Sequence, residues 1–449
     1  MSTESRSARG GPRGFASTVA ATAVVLAIAA GALVAVNLVQ GIRLDFTMPP
    51  PARFISAAHQ SVTLTANQQL RTIDEASVTV TPAADFSLAM AANRLSISFE
   101  DTLDYGTEYT VRVADVVGSF DSAPRTVETV FRTPPASVVV LRHGEGGDEL
   151  VRVPVAGGDD EQLVFEAQQI TGFAVAGDRV IVATGDADPA KRLLSVAIAG
   201  GDTRSIDLPG EGFASDLDAV AEYGLVGFRF DTDPAADDFE FDRVLFLIEN
   251  DATPRPAQGL DGEPLTVFDW RFVPAKPAVV AQDLAKDLLL VDLRPDRLAV
   301  PLGNYADLVS VGRDGKSVVL GDGTGLSLYD LTRGSVEPIS FALDDGQIAY
   351  PSDTLALAGD RGVVRSFAVV NPHTHLFEER VTVEAGGETA TVFSSGTSGD
   401  SVVAVSSSPN DRYLAIETAG SLGQSTTLVV DVGSGEVVTT VPGGGAGWP

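Results

Sequence analysis

The chain is 449 residues long, too many for one ordinary core, and sets 61 acidic against 31 basic side chains for a formal charge of −30. That charge repels a phosphate backbone and leaves no basic stripe for counterion release, so nucleic acid is excluded as a partner. The absence of cysteine excludes disulfides, thiolate zinc sites, a cysteine nucleophile and lipid attachment through an N-terminal Cys, and leaves packed apolar surface to provide stability.

Residues 1–14 form a basic tail in which Arg6, Arg9 and Arg13 are opposed only by Glu4. From Phe15 to Val39 the chain then runs 25 residues without a charge. As a helix this run spans roughly 37 Å, more than the ~30 Å hydrocarbon core of a bilayer. The sequence thus predicts a transmembrane helix over 15–39, with the N-terminus in the cytoplasm and the bulk outside it at the cell envelope. Ala30-Gly31-Ala32 also offers the small-residue pattern of a signal-peptide cleavage site, and that alternative exports the same residues. A Pro-rich spacer over 40–51 follows, stiffened by Met48-Pro49-Pro50-Pro51.

Over 52–136, short runs alternate apolar and polar positions: Val62 and Leu64, Val78 and Val80, Leu95, Ile97 and Phe99, then Tyr109, Val111 and Val113. Period two predicts a β-sandwich. The stretch Leu103-Asp104-Tyr105-Gly106-Thr107-Glu108-Tyr109-Thr110-Val111, with Thr129-Val130-Phe131-Arg132-Thr133-Pro134 and Val78-Thr79-Val80-Thr81-Pro82, resembles the bacterial Ig-like domains of surface proteins. The resemblance implies a spacer or adhesive module.

Residues 137–449 carry a recurring apolar strand followed by a turn. The copies begin at Leu150, Leu193, Val244, Leu288, Leu326, Val364 and Leu428. Their spacing brackets the period of a four-stranded propeller blade, so seven copies predict a seven-bladed β-propeller. Arg313-Asp314-Gly315-Lys316 and Ser408-Pro409-Asn410-Asp411 resemble the turn of TolB-like and WD40-like propellers, although the Gly-His and Trp-Asp signature of true WD40 repeats is missing. Gly443 to Pro449 reads as a leftover first strand, which predicts that Trp448 and its neighbours close the ring against Val138 to Arg142.

Candidate chemistry is sparse. His373 and His375, with Glu378 and Glu379 behind them, have the spacing of a metal pair on one strand face, and a solvated hairpin tip is the competing reading. Asp231, Asp233 and Asp237, within an acidic run reaching Asp242, offer the oxygen ligands that calcium takes. Pro234 and the missing sixth-position glycine of an EF-hand weigh toward a solubilising loop. No Gly-x-Ser-x-Gly elbow is present, and no cofactor is expected.

The expected function is therefore a membrane-anchored binding or scaffold protein whose propeller loops recognise a protein or glycan. An exported hydrolase or lyase with a central acidic pocket, and a purely structural stalked spacer, are the alternatives. Two carboxylates and an Arg converging in the central channel favour the enzyme; an apolar or filled channel favours the scaffold.

Overall fold

The computed structural model describes Val19, residues 22–26, and residues 42–449 apart from 120–122, 157–160, 186–190, 237–239, 250–252, 275, 295–298, 314, 324, 340–348, 359–360, 372, 397–398 and 421–422. The expected span over 15–39 lies almost wholly outside these residues. Val19 and residues 22–26 are helical, and among the described residues no helix is long and apolar enough to cross a membrane.

The chain is mainly β and divides into two compact units. The first comprises the described parts of Met1–Pro51, Ala58–Asp101 and Glu108–Arg132. The second takes Ala52–Ala57, Thr102–Thr107 and Thr133–Pro449.

Alternation builds the first unit. Val62, Leu64, Leu95, Ile97, Phe99, Tyr109, Val111 and Val113 are all buried. They lie in a four-stranded sheet and a three-stranded sheet, both antiparallel. The sheets meet where Phe131 stacks on Tyr109 and presents its ring to the edge of Phe99. The spacer reading of 40–51 needs revision, because Leu44–Thr47 pairs with Ser61–Ala66 as an edge strand. Its side chains alternate in burial, and its backbone finds partners on one side before the prolines stop it.

In the second unit, seven four-stranded antiparallel sheets follow one another among the described residues. Their central strands are rich in apolar residues, and Ala278–Gln282 is buried at every position. A strand with both faces apolar must be covered on both sides, and here each sheet covers the next. One apolar layer joins Ile181, Ala183 and Leu193 to Phe228 and Phe246 of the following sheet. Another joins Leu245 and Leu247 to Trp270 and Val279, and a third joins Val280 and Leu288 to Val318 and Leu320.

The first strands touch in succession around a shared centre: Ile170–Ala176, Gly212–Val220, Asp269–Val273, Asp307–Val311, Ala349–Ala356 and Ser401–Ser407. Gly444–Gly447 completes the circle. It touches Ile170–Ala176 and pairs with Ser137–Gly144, setting Gly444 opposite Leu141 and Gly447 opposite Val139. Trp448 packs into the layer formed by Val138, Val140, Ala415 and Val429. The arrangement is a β-propeller in which the first sheet receives its innermost strand from the far end of the repeat region.

One repeat copy is displaced. The strand containing Val364 is the second of its sheet, whereas the other copies are third strands. The true third strand is Phe377–Ala385, whose first residue lies 51 residues after Leu326 and 51 before Leu428. Its Glu378, Glu379 and Arg380 conceal the apolar run that marks the other copies.

Candidate functional site

The first strands carry the site because their inner edges face the axis. Five of them break register with their partners, between Ile170 and Gly172, Ser215 and Asp218, Leu308 and Ser310, Pro351 and Asp353, and Val402 and Ala404, and three of these bulges precede a polar side chain. A bulge re-aims the side chain that follows it. Asp218, Ser310 and Asp353 thereby line an axial cavity of about 390 Å³, together with Arg271 and Arg313. Val175, Phe272, Leu355 and Trp448 add apolar wall.

Each charged group is held by its own hydrogen bonds. Asp218 Oδ1 accepts from the Ala219 N–H at 2.8 Å, and Oδ2 accepts from the Phe272 N–H of the next sheet at 3.3 Å. Asp353 accepts from the Thr354 N–H at 2.8 Å and from the Val405 N–H of the following sheet. The Ser310 hydroxyl donates to the Thr354 carbonyl at 2.5 Å. Arg271 Nη1 donates to Asp269 at 2.5 Å and to the Trp270 carbonyl at 2.7 Å. Arg313 Nη2 donates to the Ser407 carbonyl at 2.8 Å.

Among the described residues, Asp218, Asp353 and Arg313 have no oppositely charged side chain at salt-bridge distance. Burial pushes the Asp218 and Asp353 carboxyls above the usual carboxylate range, and the backbone donors and nearby Arg271 offset this only in part. Asp218 keeps a face open to the cavity although protein surrounds it on its remaining sides.

The two propeller-type turns flank this cavity. Arg313 from the first reaches into it. The second turn is buried, with Ser408, Asn410 and Asp411 at 0 %, 4 % and 2 % exposure. Asp411 Oδ2 accepts from the Ala358 N–H at 2.6 Å, and Asn410 donates to the Leu103 carbonyl at 3.0 Å. The turn thus fastens its own sheet to the preceding one and to residues 102–107.

The residues singled out as metal ligands lie elsewhere. His373 and His375 are exposed in the turn after Val363–Val370, where Asn371 accepts from the His373 N–H and His375 has a φ of 56°. A turn does not place both imidazoles on one strand face. Glu378 is engaged by Arg380, Ser394 and Asn371. Asp231 accepts from the Arg243 N–H and Asp233 pairs with Lys191 at 3.1 Å, while Asp237 lies outside the described residues. Among the described residues no group of three or more His, Asp or Glu side chains stands close enough to hold a metal ion.

Asp218, Arg271 and Asp353 escape a sequence reading that looks for dense clusters. The available signal is a charge flanked by apolar residues within a first strand, as in Leu217-Asp218-Ala219-Val220 and Trp270-Arg271-Phe272.

Fold and site together define a β-propeller protein with a charged axial cavity. No known family model matches the chain, and no curated protein matches it in sequence. Similar solved structures include TolB from Acinetobacter baumannii, at 9% identity, covering 83% of this chain and 82% of that one, with a TM-score of 0.38. Apo AztD from Citrobacter koseri gives 11%, 76%, 94% and 0.37, in the same order. The β-propeller domain of Cps50 (Swd1) from Myceliophteria thermophila gives 12%, 61%, 87% and 0.36. The propeller assignment rests on the sheet order and ring closure of the chain itself.

Proposed function

We propose that the chain is a membrane-tethered, extracytoplasmic binding protein. A helix over 15–39 holds it, an Ig-like first unit spaces it, and a seven-bladed propeller presents its axial cavity and mouth loops for recognition. The tether is supported by the uncharged run and its arginine flank. The binding role is carried by one observation: four successive sheets send Asp218, Arg271, Arg313 and Asp353 into one cavity. Fixed polar groups converging in a preformed apolar-walled pocket are the mark of a ligand site.

A single-cysteine scan tests the tether, since the chain has no native cysteine. Ser401→Cys in intact cells should react with a membrane-impermeant maleimide while Ser5→Cys does not; the reverse pattern rejects the topology. Crosslinking in detergent extracts tests the binding role. A partner recovered with the parent chain should be lost with Arg313→Gln, and equal recovery rejects the cavity as the site.

A second reading, an exported hydrolase or lyase, is the one that two carboxylates and an Arg in the central channel favour, and the upward shift of Asp218 and Asp353 suits a general acid. Binding leads because both carboxyls already accept from backbone N–H groups of two sheets each. Turnover of envelope glycans, lost in both Asp218→Asn and Asp353→Asn, would select it over simple binding.

A further inference from the structure

We propose that the axial cavity binds a small zwitterion, a free amino acid or a di- or tripeptide. Its carboxylate would lie on Arg313 and Arg271 and its ammonium between Asp218 and Asp353. The proposal rests on the cavity being a binding site, as argued above, and adds the chemistry of the ligand.

The first support is that the cavity's charges are of both signs and are prevented from neutralising one another. Arg271 is tied to Asp269 and the Trp270 carbonyl, and Arg313 to the Ser407 carbonyl. Asp218 and Asp353 are tied to backbone N–H groups of two sheets each. These tethers preorganise the four groups around open space.

Free valences remain on each. Nε and Nη2 of Arg271 and Nη1 of Arg313 carry no hydrogen bond among the described residues, and they face the same cavity as the two carboxyls. Arg271 is paired with Asp269 and part-exposed, but Asp218, Asp353 and Arg313 have no charged partner at salt-bridge distance among the described residues, and charges withdrawn from water without one are costly. A ligand bearing one charge relieves half of that cost and worsens the other half, whereas a zwitterion relieves both.

The positions of the charges agree with this. Asp218, Arg271, Arg313 and Asp353 come from four consecutive sheets, so the two guanidiniums stand between the two carboxyls along the wall. Arg271 acts on both carboxyls. Carboxyls raised by burial gain most from an arriving ammonium, because it restores the ionised form that burial opposes. Phe272, Leu355, Val175 and Trp448 offer an apolar lining for a small aliphatic side chain. The cavity lies at the lower end of the roughly 300–1,000 Å³ range of small-molecule pockets, which suits a ligand of this size.

Calorimetric titration of the full chain in detergent with L-alanine, L-alanyl-L-alanine and tri-L-alanine tests the idea. At least one should bind with Kd below about 1 mM. Amidating the carboxylate of the binder, or acetylating its amine, should each weaken binding about tenfold or more. In Arg313→Gln the penalty for amidation should shrink, since Arg271 alone remains to hold the carboxylate, and in Asp353→Asn the penalty for acetylation should shrink likewise, since Asp218 alone remains to hold the ammonium. Ratios taken within one variant do not depend on its folded fraction. The proposal is overturned if none of the three binds at about 10 mM, or if the acetylated and amidated forms bind as tightly as the free one. If only succinate binds, and Arg313→Gln abolishes that binding, the ligand class is wrong while the cavity remains a binding site.

Discussion

Replacing Trp448 by alanine tests whether the closing strand contributes to the stability of the ring. Trp448 is 9 % exposed, packs against Val138, Val140, Ala415 and Val429, and donates from its indole to Ser406 at 3.3 Å. Truncating a buried tryptophan costs about 3–5 kcal/mol. Because the indole also borders the axial cavity, the space it leaves joins existing open volume, and the extra penalty for a sealed void is small. We therefore expect about 3 kcal/mol, the lower end of that range. Trp270, at 1 % exposure inside a sealed layer, sets the upper end at about 5 kcal/mol. For a unit of this size each kcal/mol lowers Tm by about 2 °C, so Trp448→Ala should melt about 6 °C lower and Trp270→Ala about 10 °C lower by calorimetry. Trp448→Phe should recover most of the loss. A Trp448→Ala protein melting with the parent would refute the closure argument, since a terminal strand that contributes nothing cannot be what completes the ring.

Gly227→Ala should lose about 1–3 kcal/mol in chemical denaturation, because an added Cβ would stand 2.4 Å from the Trp270 ring; an unchanged midpoint would mean that this layer has slack. Gly447→Val should lower Tm as well, since even its Cβ would meet Val175 at 2.6 Å and Phe173 at 2.9 Å. The buried carboxyl of Asp411 is raised, chiefly by desolvation. A raised group binds more protons folded than unfolded, so its contribution is present below the ordinary carboxylate pKa and is lost as pH rises through the folded value. Asp411→Asn should therefore compare better with the parent at pH 7 than at pH 4. A difference in Tm that is constant between those pH values would show that the carboxyl does not titrate as argued.

Strand periodicity made most of the fold legible. Val62, Leu64, Leu95, Ile97 and Phe99 could be placed on a buried face from alternation alone, and the third strands of six sheets stood out as apolar runs before turns. The sixth sheet was misread because Val363–Val370 resembles a third strand and Phe377–Ala385, with its Glu378–Arg380 network, does not. Leu44–Thr47 was missed because a four-residue edge strand beside prolines has too few positions to show a period. The site was less legible still. His373 and His375 drew attention by proximity in sequence, yet Asp218, Arg271, Arg313 and Asp353 are far apart along the chain and meet only because four sheets share an axis.

Those four side chains also explain how the propeller manages its inner edges. The first strand of each sheet is paired on one side only, which leaves backbone donors and acceptors facing the axis. Asp218 and Asp353 accept from such donors in the next sheet, and Ser310 and Arg313 donate to such acceptors. Fold and site are thus served by the same atoms, and the two roles separate by substitution. Asparagine keeps the acceptor and removes the charge, so Asp353→Asn should keep the sheets joined while weakening the hold on a cationic group. Alanine removes both, leaving the Thr354 and Val405 N–H groups without their acceptor at a cost of about 1–3 kcal/mol. If the two variants were equally destabilised, the charge would be the structural element and the hydrogen bonds incidental. If both stayed as stable as the parent, the inner edges would need no side-chain acceptor at all.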